Sequence, residues 1–267
     1  MNSMREGLYS EGSITRRVNR ENVLLLGGGR ALLMQLAHPM VAAGVDEHSD
    51  FRQHPVRRLR RTIHMTMAIV FGDRETALAA ARAVNQTHGR VRGEGYRALD
   101  PDLLLWVHAT LVDSALVTYE TFVKPLADRE REDFYQESKL LGGLLGIPEQ
   151  TFPNSHRDFK AYTAAMVARG EVAVGRQARE LGRLVLRPRV RLLPGPVMMP
   201  FETVTAGLLP PELRQQYRLA WGEPQRRLYR LMVIAVPRVV AVTPPVLRVW
   251  PLPGRNVSLA PSLTLSS

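Results

Sequence analysis

Apolar residues recur three and four positions apart along most of this chain, and no stretch alternates with period two for long enough to make a convincing strand. Val56 to Phe71 carries Leu59, Ile63, Met67 and Val70 on one stripe, and Gly72 stops it. Asp73 then caps an Ala-rich helix whose stripe holds Ala77, Ala80, Ala81, Val84 and Val91 and which ends near Gly93 to Gly95. Asp100 is a good N-cap with Pro101 at the first helical position, so a further helix is expected from there to about Val123. The same periodicity predicts helices over Arg30 to Ala43, Asp128 to Leu145, Arg157 to Ala168 and Glu171 to Leu186. Shorter ones follow over Met198 to Leu208, Pro211 to Leu219 and Glu223 to Val236, giving an all-α, multi-helix orthogonal bundle.

The 267 residues suit one large domain. Residues 1–20 read as a flexible polar arm, 21–240 as the helical domain and 241–267 as a Pro-rich tail. Phe51 to Pro55 reads as a linker, and Arg187 to Pro196 as a basic, turn-rich connector. The absence of Cys excludes a disulfide framework, a thiolate metal site and a catalytic thiol. Met1 to Arg20 lacks the apolar core of a secretory signal, which favours a cytoplasmic protein. Val23 to Met40 and Leu231 to Trp250 are the most apolar stretches, but Arg30, Pro237, Arg238, Pro244 and Pro245 interrupt them. They read as core or surface-associating segments rather than spans.

Lys plus Arg outnumber Asp plus Glu by 36 to 25, and Lys occurs only at 124, 139 and 160. Arg binds phosphates and carboxylates through two parallel bonds, yet a GC-rich coding sequence enriches it with no functional pressure. Nucleic-acid binding is not expected, because aromatics are only 6% of residues and the Arg residues are spread along the chain rather than interleaved with them.

Candidate sites follow from residue type and spacing. Gly27-Gly28-Gly29 superficially suggests a dinucleotide turn, but Leu32 stands where the third Gly of G-x-G-x-x-G belongs. His48-Ser49-Asp50 matches the start of a two-His, one-carboxylate iron site, a short match for which a loop or cap role is the stronger reading. Arg58, Arg61, Thr62 and Met65 share a helix face that is either an anion or polar-ligand site or a solvated basic surface. His88 and His108 lie in the apolar stripes of successive helices. Such residues are either hydrogen-bonded core histidines or imidazoles offered to a haem iron.

A longer pattern runs through these segments. It comprises Arg30-Ala-Leu-Leu-Met-Gln-Leu-Ala-His38-Pro39, Gly44-Val-Asp-Glu-His48-Ser49-Asp-Phe51, Arg57-Arg58-Leu-Arg-Arg61-Thr62 and Val70-Phe71-Gly72. It continues through Thr87-His88-Gly-Arg-Val91-Arg92-Gly93, Tyr96, Asp100-Pro101 and Leu105-Trp106-Val107-His108-Ala109-Thr110 to Leu145-Gly146-Ile147-Pro148 and Phe152-Pro153. In order and spacing, over about residues 25–240, this resembles the DUF2236 family of MpaB-type and latex-clearing rubber oxygenases. The resemblance implies a helical bundle enclosing a pocket for haem b, with one protein His on the iron and dioxygen opposite. The family's ligand His is best matched by His88, with His108 as the second choice or a residue bracing the haem. The distal Arg and Lys-Thr cluster of the rubber oxygenases falls on Arg58 and Arg61-Thr62, Arg61 replacing Lys, and Glu47 is a weak match to their acidic base. The implied activity is a haem-dependent oxygenase acting with O2 on a lipophilic small molecule such as an alkene or isoprenoid. A haem-binding or sensor protein without turnover is the alternative, and a peripheral membrane contact is a third, non-exclusive expectation.

Overall fold

The structure is a computed structural model that describes residues 7–52, 55–188 and 195–249. Thirteen α-helices and one short β-hairpin account for most of the described residues. The all-α expectation is met.

The central element is α6 (Pro101–Phe122), in which Asp100 accepts from the backbone N–H of Asp102 and Leu103 and Pro101 opens the helix. Its apolar residues are not confined to one stripe, and burial extends from Leu103 to Phe122 around the helix. Such a helix needs cover on all sides. α1 (Ile14–Asn19), α7 (Asp128–Leu144) and α8 (His156–Ala168) cover one side through Ile14, Val18, Tyr119, Phe134, Tyr135 and Phe159. α2 (Gly28–Ala37), α3 (Pro39–His48), α9 (Arg176–Leu186) and α11 (Pro211–Gln216) build a second core around Trp106, Leu33, Met34, Leu181 and Leu213. α10 (Gly195–Leu208) and α12 (Glu223–Val242) close the C-terminal end of α6 over Phe122, and α13 (Pro245–Arg248) follows.

Several sequence expectations change: the helix expected from Glu171 begins at Arg176, and the one expected to end near Gly93 to Gly95 stops at Gly89, with Arg92 and Gly93 in a strand. The helix expected from Arg30 to Ala43 is two helices, broken where His38 is extended (φ −77°, ψ 121°) ahead of Pro39. The His38 N–H turns to the Gln35 carbonyl, while the Met34 carbonyl accepts from Trp106 Nε1 at 3.2 Å and the Leu33 carbonyl from Tyr217 Oη at 2.7 Å. The described part of the expected N-terminal arm is docked, because Tyr9, Ile14 and Val18 are buried and Ser13 caps α1. At the other end α12 continues through Pro237 to Val242, past the expected stop at Val236.

Gly27 and Gly29 have a packing role. A Cβ on Gly27 would lie 2.1 Å from Thr118 Oγ1, and one on Gly29 would lie 2.2 Å from Thr205 Oγ1. The glycine run therefore lets the 3-10 turn Asn22–Gly27 and α2 cross α6 and α10 at close range, with no phosphate turn involved.

Where those helices meet, Arg30 is buried and fully engaged. It donates to Asp113 Oδ2 at 2.5 Å, to Ser114 Oγ at 2.7 Å and to the Leu208 carbonyl at 2.8 Å. Lys160 of α8 donates to the other Asp113 oxygen at 3.3 Å. Burial pushes the Asp113 carboxyl up, but Arg30 and Lys160 outweigh it and hold the group below the usual range. Arg30→Met should destabilise the protein by about 3–5 kcal/mol, since it removes the closer of the two cations that a buried carboxylate depends on. Denaturant titration checks this, and Arg30→Met/Asp113→Leu should recover part of the loss.

Candidate functional site

The α4 (Pro55–Phe71) and α5 (Arg74–Gly89) helices form an antiparallel hairpin through Gly72 and Asp73, whose side chain accepts from the Thr76 N–H. The closed end of the hairpin is its packed end. Ala68, Ile69, Ala80 and Ala81 are buried there against Leu8 and the α7 residues Leu141 and Leu144, and further along α5 Asn85 Nδ2 donates to the Leu144 carbonyl at 2.9 Å. Towards the open end exposure rises, and Arg60, Arg61, Thr62 and His64 are exposed. The antiparallel course places residues 57–62 of α4 and 83–88 of α5 at this same end.

His88 sits in the last turn of α5, half-buried, and lines a cleft of about 260 Å³ with Gly89, Val91, Arg92, Arg97 and Leu99. The far wall is the hairpin β1 (Arg92–Gly93) and β2 (Tyr96–Arg97), whose turn uses Gly95 at φ +77°. Gly93 is sterically required, since a Cβ there would lie 2.5 Å from the Tyr96 ring. α3 backs this wall. Tyr96 Oη donates to Glu47 Oε2 at 2.7 Å, the His48 ring meets Tyr96 edge-on, and burial followed by the Glu47 contact pushes the Tyr96 hydroxyl up to about 12. Glu47 and His48 thus support the cleft wall from behind. The cleft carries one imidazole, two guanidiniums and apolar flanks.

His108 lies elsewhere, in the middle of α6. It is 3% exposed, its ring meets Phe152 edge-on at 5.8 Å, and neither ring nitrogen has a hydrogen-bond partner. Burial lowers its pKa to about 4, so the ring is neutral at physiological pH. An unmet buried donor or acceptor costs about 1–3 kcal/mol, so this neutral imidazole carries an uncompensated cost in the core.

The sequence candidates are therefore only partly assembled. His88 reaches the cleft, and His108 is not among its lining residues. Arg61 and Thr62 are on the exposed part of α4, while the Arg58 side chain lies outside the described residues. Arg92 and Arg97, which sequence reasoning did not single out, line the cleft with His88. The signal for Arg92 is its place four residues after His88. Arg97 arrives only through the β-hairpin. Among the described residues no three His, Asp or Glu side chains form a chelating group, a finding that leaves a single-imidazole ligand untouched.

The family described as ER-bound oxygenase mpaB/B'/rubber oxygenase, catalytic domain, matches residues 15–238. The chain belongs to this family. Two uncharacterised proteins, from Mycobacterium bovis and Mycobacterium tuberculosis, are each 32% identical to it over 216 residues, which is 76% of this chain and 83% of theirs. No solved structure matches. Membership in the MpaB/rubber oxygenase family makes the chain an oxygenase catalytic domain.

His108 generates a pH prediction. Its folded pKa lies below the unfolded value of 6.5, so the unfolded state binds the extra proton and stability falls as pH drops from about 6.5 to about 4. The full effect is about 3 kcal/mol. His108→Phe should remove this share of the acid dependence in denaturant titrations across that window.

Proposed function

We propose that this oxygenase uses haem b, with His88 as the protein ligand to iron, and acts with O2 on a lipophilic small molecule. The observation that carries the reading is the cleft at the end of α5, which His88 lines together with Arg92, Arg97, Val91 and Leu99. A neutral imidazole can bind iron through one nitrogen. Two arginines are the donors that carboxylate side arms of a porphyrin would need. Val91 and Leu99 supply apolar contact. In kind, then, the residues fit the group. In size, the cleft of about 260 Å³ falls below the ~300–1,000 Å³ of ordinary small-molecule pockets. Binding on this reading requires the cleft to be wider than it is here.

Haem supplies one-electron and dioxygen chemistry when bound. The chain's own residues supply position and surroundings. His88 is held by the last turn of α5, and Arg92 and Arg97 are held by the β-hairpin that Glu47 and Tyr96 brace. Arg61 and Thr62, exposed on α4 at the open end, are further donors that would serve bound ligand, and the family resemblance adds Arg58 to them. Val91 and Leu99 are the apolar lining against which a lipophilic substrate would pack.

His108 carries a second reading, because its two unmet ring nitrogens are what a ligand or a bracing residue would leave in a structure without the group. The experiment that separates the readings is the ultraviolet–visible spectrum of protein expressed with a haem precursor, with pyridine haemochrome stoichiometry. Near-stoichiometric haem b, lost in His88→Ala and kept in His108→Ala, is the expected result. The reverse pattern transfers the ligand to His108, and a folded, haem-free protein overturns the cofactor. Arg92→Ala and Arg97→Ala should each weaken haem retention roughly tenfold, as read by transfer to apomyoglobin. Oxygen uptake with an apolar alkene then distinguishes turnover from storage or sensing.

A further inference from the structure

We propose that the outer face of α12 and α13 docks on the surface of an anionic lipid bilayer. No residue of α12 is buried, although the helix is 20 residues long and rich in aliphatic side chains. Its inner side, with Tyr229, Met232, Val233 and Val236, packs on α10 and the end of α6. Its outer side and α13 expose Leu231 at 61%, Ile234 at 55%, Val239 at 60%, Val242 at 81%, Val246 at 83% and Leu247 at 69%. Among the described residues these six are most of the exposed large hydrophobics, and they fall within one 17-residue stretch. Isolated exposed apolar residues are ordinary, but a contiguous set of this kind marks an interaction surface.

The face is held in place. Arg248 donates through Nε and Nη2 to the two carboxylate oxygens of buried Glu21, at 2.7 and 2.8 Å, and Asn22 Nδ2 donates to the Leu247 carbonyl at 3.0 Å. These contacts tie α13 to the start of the 3-10 turn, so Val246 and Leu247 stay outward next to the end of α12. No helix among the described residues is long and apolar enough to cross a membrane. A helix of this type lies on the surface.

Charge selects the occupant. Arg226, Arg227, Arg230 and Arg238 are exposed along α12, and its one acidic residue, Glu223, pairs with Arg227 and Arg230 at the N-terminal end. Arg238 sits amid the apolar residues and, among the described residues, donates to the Ile234 carbonyl of its own helix. A second copy meeting this face would set arginines against arginines. The chain after Val249 adds one more charge of the same sign, Arg255. An anionic partner is therefore favoured. Among the described residues the exposed apolar side chains of this face are aliphatic, and exposed arginines stand among them and beside them. Hydrocarbon bordered by anionic headgroups matches both halves of the face.

The test is sedimentation of the full chain with vesicles of phosphatidylcholine containing phosphatidylglycerol, against vesicles of phosphatidylcholine alone, at low and high salt. The anionic vesicles should bind the protein at low salt, with affinity lower by about tenfold or more on neutral vesicles and at high salt. Leu231→Ser/Ile234→Ser/Val242→Ser and, separately, Arg226→Glu/Arg238→Glu should each cut binding roughly tenfold. Leu140→Ser, at an exposed position of α7, should leave it unchanged. All of these positions are exposed, so circular dichroism and elution volume should match the parent, and the charge pair carries the test if the serine variant does not fold. Absence of vesicle binding overturns the proposal, as does binding that neither variant alters. A dimer that the serine variant dissociates, with no vesicle binding, assigns the face to a second copy instead.

Discussion

The buried pair Arg30–Asp113 is the interaction around which the helices are arranged. It joins α2 to α6, reaches the last carbonyl of α10 at Leu208, and through Lys160 draws in α8. A charge pair in such a place is costly unless every donor and acceptor is met. Here the guanidinium has three different partners and the carboxylate two cations. The glycines at 27 and 29 serve the same junction by letting the backbones approach closely. The position of α6 follows, and with it the entry to the β-hairpin and the cleft.

The helical elements were legible because their periodicity coincides with local punctuation. Asp73, Asp100-Pro101 and Gly146-Ile147-Pro148 mark helix boundaries that the structure reproduces within a residue or two. The break at His38-Pro39 was legible in principle, since a residue before proline avoids the helical region, but the apolar stripe running across it suggested one helix. The docking of α1 was not legible. Its buried apolar residues, Ile14 and Val18, are too few among Arg16, Arg17 and Arg20 to show a core stripe, and the residues they cluster with lie far off in sequence on α6 and α7.

The candidate site was legible by halves. His88 and His108 stood out as histidines on apolar stripes, yet spacing alone could not tell a cleft residue from a core residue. The structure separates them: one lies at a helix end beside two arginines, the other in mid-helix with its nitrogens unmet. Arg30 carried the opposite ambiguity. In the sequence it interrupts an apolar stretch, and its partner Asp113 lies 83 residues on, within an apolar helix, where no local pattern connects the two.

The near-absence of lysine has a consequence for the protein's behaviour in base. Among the described residues almost every ion pair uses Arg as its cation, the exceptions being Lys160 with Asp113 and the contact between His48 and Glu47. A guanidinium keeps its proton throughout the alkaline range in which an ammonium loses it. The electrostatic ties between helices are therefore indifferent to alkalinity. Acid acts through groups such as His108, and base finds almost nothing among these pairs to discharge.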